Sequence, residues 1–118
     1  MENGVYLLLG SNLGDRKKNL LQAQKSIGHF GAILATSSLH QTQAWGNTQQ
    51  PDFLNQVIQF SYEKSPQQLL AEVLGIENVM GRQRIEKWGP RIIDIDILFF
   101  GKVTLAEKNL VIPHPERG

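Results

Sequence analysis

The chain has 118 residues, 41% of them hydrophobic, a formal net charge of +1 and no cysteine. That size and apolar content suit one globular domain with a real core, while the small net charge lacks the bulk basic surplus of a nucleic-acid binder. The absence of cysteine removes disulfide frameworks and thiolate metal sites. No apolar run approaches the ~20 residues of a membrane span, and the N-terminus carries no charged-then-apolar leader. The expectation is a cytoplasmic protein of one domain, residues 1–118, with no membrane or nucleic-acid partner, as a monomer or weak homodimer.

Val5 to Leu9 is a short apolar run ended by Gly10, which predicts a buried strand. The turn-rich Gly10-Ser-Asn-Leu-Gly-Asp15 leads into a helix from about Asp15 to Ile27, with Leu20, Ala23 and Ile27 at helical spacing and Gly28 as its stop. Such a loop serves either as a phosphate cradle or as a plain capped turn. Ala32 to Gln43 predicts a second strand. The polar connection Ala44 to Pro51 is too long for a tight hairpin, and long connections in small domains are often functional. Phe53 to Phe60 predicts a third strand with Phe53, Asn55 and Val57 on one face; a bulge or burial on both sides is expected to accommodate Leu54, Ile58 and Phe60.

Ser65-Pro-Gln-Gln68 has a cap, a proline at the first helical position and a capping-box glutamine. The helix it starts is expected to run to about Met80 with Leu69, Val73, Ile76 and Met80 as its apolar stripe. Next comes a charged stretch, Gly81 to Arg91, and then Ile-Ile-Asp-Ile-Asp-Ile-Leu-Phe-Phe100. Gly101-Lys102 predicts a turn, Val103 to Leu105 a short strand and Asn109 to Pro115 an extended edge segment. The resulting order, strand, helix, strand, strand, helix, strand, predicts an α+β fold: a ferredoxin-like (split βαβ) antiparallel sheet with helices packed on one face.

The aspartates of the last long strand carry the chemistry. Unpaired buried carboxylates cost several kcal/mol, yet strand geometry puts Asp94 and Asp96 on one face, roughly 6–7 Å apart at ~3.3 Å per residue. Ile93, Ile95, Ile97 and Phe99 are then expected to face a core. Two hard oxygen ligands beside Arg91 suggest a magnesium site that receives polyphosphate, with room for two Mg²⁺. Arg82, Arg84 and Arg91 offer planar forks for phosphate oxygens. Trp45, Phe53 and Trp88 offer flat surfaces for a heteroaromatic ring, and Asn55 a donor and an acceptor for its edge. Spacing alone favours a turning role for His114 between two prolines, and packing or surface roles for His29 and His40.

Three runs, Gly10-Ser-Asn-Leu-Gly-Asp15, Gln50-Pro-Asp-Phe-Leu-Asn55 and Trp88-Gly-Pro-Arg-Ile-Ile-Asp-Ile-Asp-Ile97, resemble the 6-hydroxymethyl-7,8-dihydropterin pyrophosphokinase family, supported by Gly81-Arg-Gln-Arg84 and Ile112-Pro-His114. The resemblance implies an enzyme of folate biosynthesis that moves pyrophosphate from ATP to the pterin hydroxymethyl group, releasing AMP, by direct in-line attack. It implies Asp94 and Asp96 as magnesium ligands, and Arg82 and Arg91 as catalytic arginines. Glu77, Arg84, Trp88, Ile97 and His114 fall on the ATP side, and Thr42, Gln43, Trp45, Phe53 and Asn55 on the pterin side.

Departures from the family pattern are Phe53 in place of a tyrosine, Leu74 in place of a polar nucleotide-side residue, and one residue fewer between Arg84 and Trp88. The family pattern also continues past the Pro-His step with a second aromatic and a helix over the sheet, so the expectation is either a chain cut short or a minimal variant with a more open pterin site. The alternatives are a shortened non-catalytic relative that only binds nucleotide or pterin, and a ferredoxin-like RNA-binding domain, which the two aspartates disfavour.

Overall fold

The structure is a computed structural model that describes residues 4–43, 50–81, 91–107 and 110–115. Strand β1 (Val5–Ser11) is followed by helix α1 (Arg16–Ile27), strands β2 (Ala32–Thr36), β3 (His40–Thr42) and β4 (Phe53–Ser61), helix α2 (Pro66–Met80), strand β5 (Asp94–Phe100) and the hairpin β6 (Leu105–Glu107) and β7 (Leu110–Ile112). The main sheet has the order β2-β4-β1-β5 with β3 also on β4, all antiparallel. Counting β2 and β3 as one interrupted strand, this is the expected split βαβ order.

Local chemistry fixes the helix ends. Asp15 caps α1 by accepting from Lys18 N, and Ser65 caps α2 by accepting from Gln68 N at 3.1 Å, with Pro66 at the first helical position. Both helices press their apolar stripes onto one face of the sheet. Leu20, Ala23 and Ile27 from α1 and Leu69, Val73 and Ile76 from α2 meet Val5, Leu7, Leu9, Ile58, Phe60, Ile95 and Ile97. Leu110 and Ile112 of β7 close the core beyond β5, and the Ile112–Pro113 peptide is cis.

Four expectations are revised. The continuous strand from Ala32 to Gln43 is broken at residues 37–39, because Ser37 spends its groups on β4 in its own way: Ser37 N donates to Val57 O, and Ser37 Oγ accepts from Val57 N. No irregularity is present in β4 where it pairs with β1; the bulge falls on β2, between Ile33 and Ala35. Ile58 and Phe60 are buried and Leu54 packs on the same core, while the other face of β4 carries Asn55.

Phe99 is the third revision. Leu7 pairs with Ile97 but Tyr6 pairs with Phe99, so Leu98 is an extra residue on β5. The alternation reverses there: Leu98 is nearly buried, Phe99 turns out, 42% exposed against the edge of Tyr6, and Phe100 packs on the core. Fourth, the strand expected at Val103 to Leu105 begins only at Leu105 and pairs with β7 in its own two-stranded sheet, while Asn109 lies outside the described residues. Gly101 supplies the left-handed φ of 55° that turns the chain after β5.

These packing roles predict different mutational costs. Phe60→Ala, emptying a fully buried site, is expected to lower stability by about 3–5 kcal/mol in urea unfolding. Phe99→Ala, on the outward side of the bulge, is expected to cost only about 1 kcal/mol.

Candidate functional site

The face of the sheet opposite the helices carries the aspartates. Across it the register sets Asn55 of β4 opposite Gly10 of β1, and Gly10 opposite Asp94 of β5. The next row runs Val57, Leu8, Asp96. Both aspartates therefore share one face, as strand alternation requires, with side chains 36% and 30% exposed. Each has a basic neighbour. Arg91 Nη1 lies 3.6 Å from Asp94 Oδ1, and His114 Nε2 lies 3.5 Å from Asp96 Oδ1.

A third carboxylate completes the cluster. Glu77, near the end of α2, accepts from Ile95 N through Oε2 at 2.6 Å, so it pins the outer edge of β5 between the two aspartates. Burial pushes the Glu77 carboxyl up to about 7; the bond from Ile95 N opposes this, and the negative charges of Asp94 and Asp96 add to it. Asp94 and Asp96 are the hard oxygen donors of this edge, while among the described residues no three acidic or histidine side chains are arranged to hold a metal ion together. Past this edge, His114 N donates to Leu98 O.

Leu70, Ile95, Asp96, Ile97, Val111 and His114 border a cleft of about 260 Å³. That is somewhat below the ~300–1,000 Å³ typical of pockets for whole ligands, so it suits part of a larger molecule. Ile97 itself is almost buried and supplies apolar wall, and Leu74 stands exposed on α2.

On the other side of Gly10 lies a flat surface. A Cβ at Gly10 would sit 2.9 Å from Asn55 Oδ1 and 3.2 Å from the Phe53 ring, so the missing side chain lets both lie close over β1. Asn55 Nδ2 donates to Thr42 Oγ1 at 2.7 Å and to His40 O at 3.3 Å. The expected edge-binding donor is thus bonded within the protein, and Oδ1 is the group turned toward Gly10. Gln43 follows β3 and is exposed.

Of the residues singled out by sequence, the structure groups Thr42, Phe53 and Asn55 on β3 and β4, and Glu77, Arg91, Asp94, Asp96, Ile97 and His114 on and around β5, with β1 between the two groups. Trp45, Arg82, Arg84 and Trp88 lie outside the described residues. Sequence reasoning missed Asn12, which is 1% exposed and bonded to both Pro51 O and Arg91 N. Its place inside the Gly10-Ser-Asn run was the available signal. It also missed the bond from Ile95 N to Glu77, which no periodicity announces.

A family model described as 7,8-dihydro-6-hydroxymethylpterin-pyrophosphokinase matches residues 6–117. The 2-amino-4-hydroxy-6-hydroxymethyldihydropteridine pyrophosphokinase of Aquifex aeolicus is 41% identical over 111 residues, which span 94% of this chain and 69% of that protein. Its counterpart in Bacillus subtilis is 38% identical over 117 residues, 98% of this chain and 70% of that protein. The Haemophilus influenzae counterpart is 39% identical over 112 residues, 93% and 70% of the respective lengths.

Two outcomes follow from the geometry. Gly10→Ala is expected to push Phe53 and Asn55 aside, costing about 1–3 kcal/mol of stability by thermal unfolding. Because folding raises the Glu77 carboxyl from 4.5 to about 7, the native state holds a proton that the unfolded chain has released between those values. Its contribution to stability therefore falls as pH rises across that window. In metal-free protein, the melting temperature of Glu77→Gln is expected to gain on the wild type as pH rises from 4.5 to 7.

Proposed function

The chain belongs to the 7,8-dihydro-6-hydroxymethylpterin-pyrophosphokinase family, and from that premise we propose how its residues divide the work of diphosphate transfer. The reaction moves pyrophosphate from ATP to the hydroxymethyl group of 6-hydroxymethyl-7,8-dihydropterin in folate biosynthesis. Its substrates are small molecules. In bond terms, the hydroxymethyl oxygen attacks the β-phosphorus in line. The bond from that phosphorus to the oxygen bridging it to the α-phosphorus breaks, AMP leaves, and the hydroxyl proton passes to solvent.

The observation that carries the residue assignment is the row Asn55, Gly10, Asp94 across three adjacent strands. It puts a ring-binding surface and a phosphate-handling surface side by side on one rigid sheet, and proximity of that kind removes much of the entropic barrier to a two-substrate reaction. Phe53 stacks on the pterin, while Thr42, Gln43 and Asn55 Oδ1 read its edge. Asp94 and Asp96 are the residues that would hold magnesium, two ions in this reading. Bound there, magnesium neutralises polyphosphate charge and polarises the phosphoryl oxygens.

Arg91, placed against Asp94, is positioned to meet the transferred phosphates, where a planar cation does best. The cleft of Leu70, Ile97, Val111 and His114 takes the nucleotide base, and its small volume fits a part rather than the whole of ATP. Glu77 steadies β5 beneath the nucleotide. Arg82 and Arg84, with Trp45 and Trp88 as further ring surfaces, join the site on the strength of their sequence match. The small net charge and the absence of cysteine support a cytoplasmic enzyme without a nucleic-acid or membrane partner, and the reading takes it as monomeric or weakly dimeric.

Purified protein given Mg²⁺, ATP and the hydroxymethyl pterin is expected to form AMP and pterin diphosphate in equal amounts. Asp94→Ala and Asp96→Ala should each lower turnover by at least ~10²–10³-fold with far smaller effects on folding, measured by circular dichroism. Nucleotide binding with no AMP formed would instead mark a binding-only protein. Unchanged turnover in both variants would remove the aspartates from the mechanism.

A further inference from the structure

Asn12 stands one residue beyond the end of β1, at the edge of the sheet where the chain enters both β4 and β5. Its side chain is buried and fully engaged. Nδ2 donates to Gln50 Oε1 and to Pro51 O, both at 3.1 Å, and Oδ1 accepts from Arg91 N at 2.7 Å. Its backbone N donates to Arg91 O at 3.0 Å. The partners lie 38, 39 and 79 residues away in sequence, so one amide joins segments that no local structure would hold together.

The side-chain type follows from this geometry. Two donors and an acceptor on a short stem match two acceptors on one side and one N–H on the other. Aspartate lacks the donors, and alanine lacks everything. What the joined segments carry gives the bond set its meaning. Phe53 and Asn55 begin two residues after Pro51, and Asp94 comes three residues after Arg91. Gly10, two residues before Asn12, is where the Phe53 ring and Asn55 close over β1. Nearby, Arg16 Nη1 donates to Asp52 O at 2.9 Å, and Asn19 Nδ2 donates to Ser11 Oγ at 3.0 Å, so the first turn of α1 braces the same corner.

We propose that Asn12 is a positioning residue for diphosphate transfer: its amide fixes the entry of β4 against the entry of β5, holding the acceptor-binding pair Phe53 and Asn55 at a set distance from Asp94 and Asp96. The assignment rests on the functional reading above. Asn12 touches none of the reacting groups in this arrangement and acts through the backbone of its partners. Displacements of about 1 Å in a two-substrate site can cost ~10²-fold in rate, so a loosened corner shows first in turnover.

Asn12→Ala and Asn12→Asp separate the two arms of the amide. In Asn12→Ala, kcat/KM for the pterin is expected to fall by about 10²-fold, while the dissociation constant for MgATP shifts by less than about threefold. Exchange of the Arg91 amide hydrogen should accelerate. Asn12→Asp keeps the acceptor for Arg91 N but loses the donor to Pro51 O. Its Arg91 amide should stay protected while the pterin KM rises, a split that general loss of stability does not produce. If both variants melt earlier yet keep kcat and KM within about threefold of the wild type well below their melting temperatures, the positioning role is overturned. Should Asn12→Ala fail to fold, the split in Asn12→Asp decides. If the wild type forms no AMP, the functional reading fails, while Arg91 exchange still reports whether Asn12 holds the corner.

Discussion

Repulsion between like charges is the constraint around which this molecule is arranged. Asp94, Asp96 and Glu77 crowd the end of one strand, where burial and the charges of the two aspartates disfavour the charged form of Glu77. The chain answers with placement. Arg91 stands against Asp94, His114 against Asp96, and the N–H of Ile95 against Glu77. None of these is a hard cation; in the function proposed above, a dication held by Asp94 and Asp96 would supply that charge and let polyphosphate approach.

The sheet makes such a cluster tolerable by giving its two faces different work. One face is covered by both helices and packed with Leu, Ile and Phe. The other keeps its polar groups near solvent, so the aspartates are not fully stripped of water. Because β1 is central, it touches both β4 and β5; Gly10 within it acts as the spacer, and Asn12, just past its end, as the proposed brace between them. In the proposed site, rigid strands, not connecting segments, set the distance between the two substrate surfaces.

Much of this was legible in the chain. The helix caps at Asp15 and Ser65, the apolar stripes and the alternation that pairs Asp94 with Asp96 are local patterns, and they survive because packing agrees with them. The family motifs brought in Thr42, Glu77 and the nucleotide-side role of His114. What could not be read depends on register between distant segments. The break at Ser37 arises from a side chain competing with the ladder. The outward turn of Phe99 arises from one extra residue opposite β1. The engagement of Asn55 Nδ2 with Thr42 depends on how β3 docks, and the role of Asn12 depends on partners as far as 79 residues away. Periodicity carries no information about any of these.

The extra residue at Leu98 has a further bearing on the site. It acts as a change of phase within β5. Upstream, odd-numbered positions belong to the core and even-numbered ones to the carboxylate face; downstream the parity is exchanged. The strand thereby serves two neighbourhoods whose demands conflict: aspartates facing out beside Gly10, and aromatic packing near Tyr62, where Phe100 must point inward. A regular strand would have forced one choice on both ends. The phase change insulates the carboxylates from whatever the far end requires, leaving that end free to vary without turning Asp94 and Asp96 into the core.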